Sequence, residues 1–142
     1  ADAAREALRA RAAKVSQGGL AGLQELADAL LNTAVSGHTK SHSPAAYAFV
    51  RESLMRQSPG SYADHCLALA QVRAADIEHI DLPVLLITGD EDLVAPPAAV
   101  QAMARRMPRA RSVVLHRCGH WTPVERPHEC IRETRDFLKR NA

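Results

Sequence analysis

An α/β fold with parallel strands is predicted from three observations: apolar residues at helical spacing through the first half, two short apolar runs in the second, and an amphipathic stretch after each run. The spacing of three and four holds to about Ile80. From Pro83 the order becomes strand, helix, strand, helix, and a crossover of that length joins parallel strands in the right-handed sense. At 142 residues the chain has the length of one ordinary domain. The chain therefore reads as two parts, helical to about Ile80 and strand-bearing from Pro83.

Ala3, Leu8 and Ala12 mark a first helix. After Gly18 and Gly19, a second carries the stripe Leu20, Leu23, Leu26, Ala27, Leu30, Leu31. GHTKSHSP, from Gly37 to Pro44, reads as a loop, because Gly, Ser, Thr and Pro favour turns. Ser43 then caps a third helix with Pro44 at its first position and Ala46, Phe49, Val50 and Leu54 on one face. Ser58-Pro59-Gly60 stops it, and Ser61 caps a fourth helix reaching Gln71. PVLLIT, Pro83 to Thr88, is opened by Pro and closed by Gly89, as expected of a strand buried on both faces. A helix over Pro96 to Met107, a second strand over Ser112 to His116 and a last helix over Pro127 to Arg140 complete the order.

Composition narrows the function. Apolar residues make up 46% and charged residues 24%, enough apolar surface to bury a core. Eighteen basic residues against sixteen acidic ones give a net charge of +2, scattered rather than striped, so no nucleic-acid partner is expected. The two tyrosines, two phenylalanines and single tryptophan disfavour a base-stacking surface. No apolar stretch approaches the roughly 18 to 20 residues that span a bilayer, and no secretory leader pattern opens the chain. Cys66, Cys118 and Cys130 are odd in number and lack metal-ligand spacing, which fits a reduced, cytoplasmic setting. His38 and His42 have the spacing of a zinc pair, but a loop would not hold them on one face, so no metal is expected there.

In a strand, helix, strand unit the loops after both strands open at the same sheet edge, where ligands bind in open α/β folds. Asp92 lies four residues beyond Thr88 and His120 four beyond His116, so both stand above neighbouring strand ends. An Asp that accepts from one imidazole nitrogen fixes the tautomer and leaves the other nitrogen to deprotonate a nucleophile. Gly119 permits the turn before His120.

GDEDLVAPP, Gly89 to Pro97, and HRCGHWTPVERP, His116 to Pro127, resemble the acid loop and histidine loop of α/β-hydrolases: Gly-x-x-Asp-x-x-x-Pro and Gly-His-x-x-x-x-Glu-x-Pro. GSYADHCLALAQVRAADIEHIDLPVLLITGDED resembles the cap exit of members akin to 3-oxoadipate enol-lactonase. The resemblance implies a C-terminal part of the α/β-hydrolase fold, with residues 1–76 as helical cap and 77–142 as the end of the core. It implies Asp92, rather than Asp90 or Glu91, as the acid and His120, rather than His116 or His128, as the base. Trp121, Tyr62 and Val94 are candidates for the substrate pocket. Glu125 and Arg126 are expected to hold the histidine loop to the core, and Cys118 to pack as a small buried hydrophobe.

The family's nucleophile stands on a Gly-x-Ser-x-Gly elbow that precedes the cap. None of Ser16, Ser36, Ser41, Ser43, Ser53, Ser58, Ser61 and Ser112 has the flanking glycines. The implied partner is therefore an N-terminal half of the same hydrolase carrying the serine, and the implied substrate a small carboxylic ester or lactone such as an enol-lactone, with no cofactor. A dehalogenase or epoxide hydrolase with an Asp nucleophile is the alternative within the fold. A hydrolase-like binding subunit that does no chemistry is the alternative outside it.

Overall fold

The computed structural model describes residues 2–141, which divide into two compact units. One takes residues 2–31 and 49–75, the other 32–48 and 76–141. The segment 32–48 thus folds with the strands, although its sequence belongs to the helical part of the chain.

In the first unit, α1 (Asp2–Ala34) bends at Gly19, whose φ of 54° is open to glycine and costly for other residues. The bend separates the two helices expected on either side of Gly18-Gly19. It lets Val15 of one arm meet Leu23 and Leu26 of the other, with Leu30, Met55 and Tyr62 packed against them. Ala12, Ala63 and Cys66 form an adjoining cluster, and Tyr62 packs against this one too. α3 (Pro44–Met55) and α4 (Pro59–Gln71) supply the remaining helices. The cap of α4 is Ser58, not Ser61: the Ser58 side chain accepts from the Ser61 N–H, and Pro59, with its preset φ, opens the helix instead of stopping the one before it.

In the second unit, residues expected to form a loop make a short helix, α2 (Gly37–His42). Ser36 is extended, at φ −64° and ψ 153°, and its Oγ accepts from the Thr39 N–H at 3.1 Å, a cap that outweighs the turn preference of Gly37. β1 (Val84–Gly89) and β2 (Ala110–Leu115) form a two-stranded parallel sheet, with Val84 opposite Ala110 and Gly89 opposite Leu115. The strand pairing that was expected is present. β1 is only half-buried along most of its length, since among the described residues one strand neighbours it.

The connecting helix α5 (Pro97–Arg106) packs on both strands. α6 (Thr122–Glu125), a turn of helix absent from the sequence expectation, and α7 (Pro127–Asn141) pack on β1. Leu115, Cys118 and Cys130 form the local core, with Ile87 and Val113 against them. Among the described residues no helix is long and apolar enough to cross a membrane.

Candidate active site

Two loops leave the same end of the sheet. The loop after β1 is tied to the turn after β2 by Asp90 N–H donating to the Leu115 carbonyl and Glu91 N–H to the Cys118 carbonyl, each at 2.9 Å. The two backbones approach so closely at Gly89 that a Cβ there would overlap the Cys118 carbonyl. That approach sets the loops side by side.

Asp92 is buried, with its side chain 2% exposed. Its Oδ1 accepts from the N–H groups of Val94 and Ala95, both at 2.8 Å, which curls the loop back toward the start of α5. Its Oδ2 lies 3.0 Å from His120 Nδ1 and 3.3 Å from the Thr88 hydroxyl, which itself donates to the Ala95 carbonyl at 2.7 Å. Burial pushes the Asp92 carboxyl up, but the Ala95 N–H, the His120 imidazole and the Val94 N–H together hold it below the ordinary carboxylate value. An ionised carboxylate only accepts, so the proton of the shared bond is assigned to His120 Nδ1. Nε2 makes no hydrogen bond among the described residues, and the side chain is 41% exposed. The pair therefore leaves the second ring nitrogen open to whatever approaches.

The histidine turn is held from behind. His120 N–H donates to the Ala34 carbonyl at 2.8 Å. Glu125, itself buried, accepts at Oε1 from the N–H groups of Gly119, at 3.1 Å, and Trp121, at 3.3 Å. Its Oε2 accepts from Ser36 N–H at 2.9 Å. A Cβ on Gly119 would stand 2.7 Å from the Ala34 carbonyl oxygen and 2.8 Å from Ser36 N, so only glycine fits. Arg126 donates to the carbonyls of His116, Glu125 and Arg117, closing the far side of the turn.

A second pair lies beside the first. His116 Nδ1 is 2.7 Å from Asp90 Oδ2, and Asp90 Oδ1 accepts from Cys118 N–H at 3.1 Å. Burial opposes ionisation of Asp90, but the N–H groups of Cys118 and Arg117 and the His116 ring prevail and lower its pKa. Unlike His120, the His116 ring is 80% exposed.

The structure thus brings Asp92 and His120 together. Trp121 follows His120 and is half-buried, while Val94 contributes its N–H to Asp92 and leaves its side chain exposed. Tyr62 lies in the first unit, half-buried between the two clusters there. Burial pushes the Cys118 thiol up to about 12, with the Glu125 charge acting in the same direction. His38 and His42 stack in α2 with ring centroids 4.5 Å apart, so the helix does place them on one face. Among the described residues no group of three or more His, Cys, Asp or Glu is arranged to hold a metal. Sequence reasoning missed Thr88 and Ser36, whose contacts arise only in the fold. The one legible signal was Ser36 three residues before Thr39, a helix-capping spacing.

Comparison with known proteins bears on the family and the fold. The sequence profile of the Alpha/beta hydrolase family matches residues 2–133. A pimeloyl-(acyl-carrier protein) methyl ester esterase of Nitrosomonas europaea is 34% identical over 88 residues, covering 59% of this chain and 35% of the esterase. Among solved structures, the enol-lactonase of Burkholderia xenovorans LB400 is 30% identical with a TM-score of 0.79, over 91% of this chain and 48% of the lactonase. A thermophilic esterase of Thermogutta terrifontis, 24% identical, shares the fold with a TM-score of 0.91 over 99% of this chain and 51% of its own. The chain spans about a third of the curated relative and about half of each solved chain.

Proposed function

Because the chain belongs to the alpha/beta hydrolase family, we propose that it carries the acid and the base of a hydrolase of carboxylic esters or lactones, whose serine nucleophile is supplied by a preceding half of the fold. His120 Nε2 takes the proton of the serine hydroxyl as its oxygen attacks the substrate carbonyl. The resulting imidazolium faces the Asp92 carboxylate, which lowers the cost of its formation. His120 then returns the proton to the departing alkoxide, and an acyl-enzyme remains. Water enters, His120 removes its proton, and collapse of the second tetrahedral species releases the acid and restores the serine. In a lactone the departing alkoxide stays tethered to the acyl group, and the sequence of proton transfers is unchanged.

The observation that carries this reading is the 3.0 Å bond between His120 Nδ1 and a buried Asp92 whose other oxygen is already engaged by two backbone N–H groups. A carboxylate held in that way keeps its remaining oxygen, which also accepts from the Thr88 hydroxyl, turned toward the ring. The resemblance to an enol-lactonase at 30% identity supports the ester and lactone class.

The test is hydrolysis of p-nitrophenyl acetate and of an enol-lactone by the protein combined with its serine-bearing half. His120→Ala is expected to abolish turnover and leave the protein folded. Undiminished turnover in that variant overturns the reading. Turnover by the 142-residue chain alone overturns the assignment of the nucleophile to a separate half.

A further inference from the structure

Glu125 is a carboxylate only 5% exposed, and its oxygens accept three backbone N–H bonds. Burying such a charge is costly unless hydrogen bonds replace its water. The origin of the donors is what matters here. Two belong to Gly119 and Trp121, the residues on either side of His120, and the third to Ser36, 89 residues earlier. The segment that contains Ser36 also provides the Ala34 carbonyl that receives His120 N–H at 2.8 Å.

We propose that Glu125 is a positioning residue for His120: its Oε1 holds the N–H groups of the residues on either side of the histidine, and its Oε2 holds the Ala34–Ser36 turn against which the histidine N–H is seated. The N–H groups of residues 119, 120 and 121 are all engaged, and the imidazole reaches Asp92 from the backbone that they hold. The proposal rests on the acid and base roles assigned to Asp92 and His120.

The three donors require an acceptor at both oxygens. Glu125→Gln keeps the shape but places an NH2 group against either Ser36 N–H or the Gly119 and Trp121 N–H pair. Glu125→Asp keeps the charge and withdraws both oxygens by one methylene.

The measurement is the low-field NMR resonance of the His120 Nδ1 proton shared with Asp92, read on the purified protein, beside circular dichroism and a urea titration. In Glu125→Gln, with native circular dichroism, that resonance is expected to shift or to broaden beyond detection. In the protein combined with its serine-bearing half, kcat is expected to fall roughly 10- to 100-fold at unchanged KM, the usual result of a misplaced catalytic group. Should Glu125→Gln not fold, the Asp variant carries the same comparison. An unchanged resonance in either folded variant overturns the proposal. Because the resonance needs neither nucleophile nor substrate, its outcome is independent of whether the combined protein hydrolyses esters.

Discussion

The two Asp-His pairs at the end of this sheet use the same atoms in the same kind of bond, Nδ1 to Oδ2, and differ in almost everything else. Asp92 has 2% of its side chain exposed and Asp90 34%, while His120 has 41% and His116 80%. Asp92 spends Oδ1 on two N–H groups of its own loop, so it cannot turn away from His120. Asp90 spends Oδ1 on Cys118 N–H, which staples the neighbouring turn, and its histidine stands in water. An exposed pair of this kind holds its partner loosely. Chemistry needs a ring whose direction is fixed, and burial with backbone donors is what fixes it.

The largest contrast is expected at the histidines. In the protein combined with its serine-bearing half, His120→Ala should lower kcat on the order of 10^6-fold, as loss of a triad base does elsewhere. His116→Ala should cost less than about tenfold, the range that an exposed pair commands. Equal losses would show that the two pairs share the work. Next come the carboxylates: Asp92→Asn presents an amide where the ring needs an acceptor, and a loss of about 10^4-fold is expected. Asp90→Asn keeps an acceptor for Cys118 N–H and should again cost less than about tenfold. Steady-state rates of the four variants decide the matter.

How far this contrast was legible in the sequence follows from where each contact comes from. The spacing of Asp92 and His120 beyond two apolar runs placed both at one sheet edge, because parallel strands impose that edge. Choosing them over Asp90 and His116 required the resemblance, since both aspartates and both histidines sit within five residues of a strand end. Burial separates the pairs, and burial depends on residues far away in sequence. Ser36 and Glu125 are 89 positions apart, and no local pattern announces their bond. The α2 helix departs from the loop its residues suggest for a related reason: Gly37 and Pro44 favour a turn, but the Ser36 side chain accepts from Thr39 N–H and tips a six-residue segment into helix.

Smaller effects concern stability. Gly119→Ala forces a Cβ to 2.7 Å from the Ala34 carbonyl oxygen and 2.8 Å from Glu125 Oε1, so a loss of about 1–3 kcal/mol is expected from urea unfolding. An unchanged midpoint would mean that the turn relaxes freely, which would weaken the account of a fixed ring. The pH dependence of the same titration gives a further check. Asp92 titrates below its ordinary value in the fold, so near the unfolded carboxylate pKa of about 3.9 the unfolded chain binds more protons. Stability from Asp92 is therefore complete above that range and is lost as pH falls through the folded value. Asp90 contributes with the same sign. Asp92→Asn should flatten the acid limb of stability against pH relative to the parent, and a limb of equal slope would contradict an ionised, bonded Asp92.

The smallest effect is expected at Cys118, which lies two residues before His120 and is the nearest thiol to it in sequence. It is fully buried against Leu115 and Cys130, and its pKa of about 12 keeps it protonated at any working pH. A thiol reacts as its thiolate, so this sulfur is a packing group and no nucleophile. Iodoacetamide at pH 8 should leave Cys118 unlabelled in the native protein and label it once urea unfolds the chain, as read by peptide mass mapping. Cys118→Ala should reduce stability by about 1 kcal/mol through the lost packing and leave kcat within about twofold in the combined protein. A large loss of rate at unchanged stability would move the sulfur into the chemistry. The contrast with His120 would then rest on reactivity instead of burial, although both residues stand on the same turn.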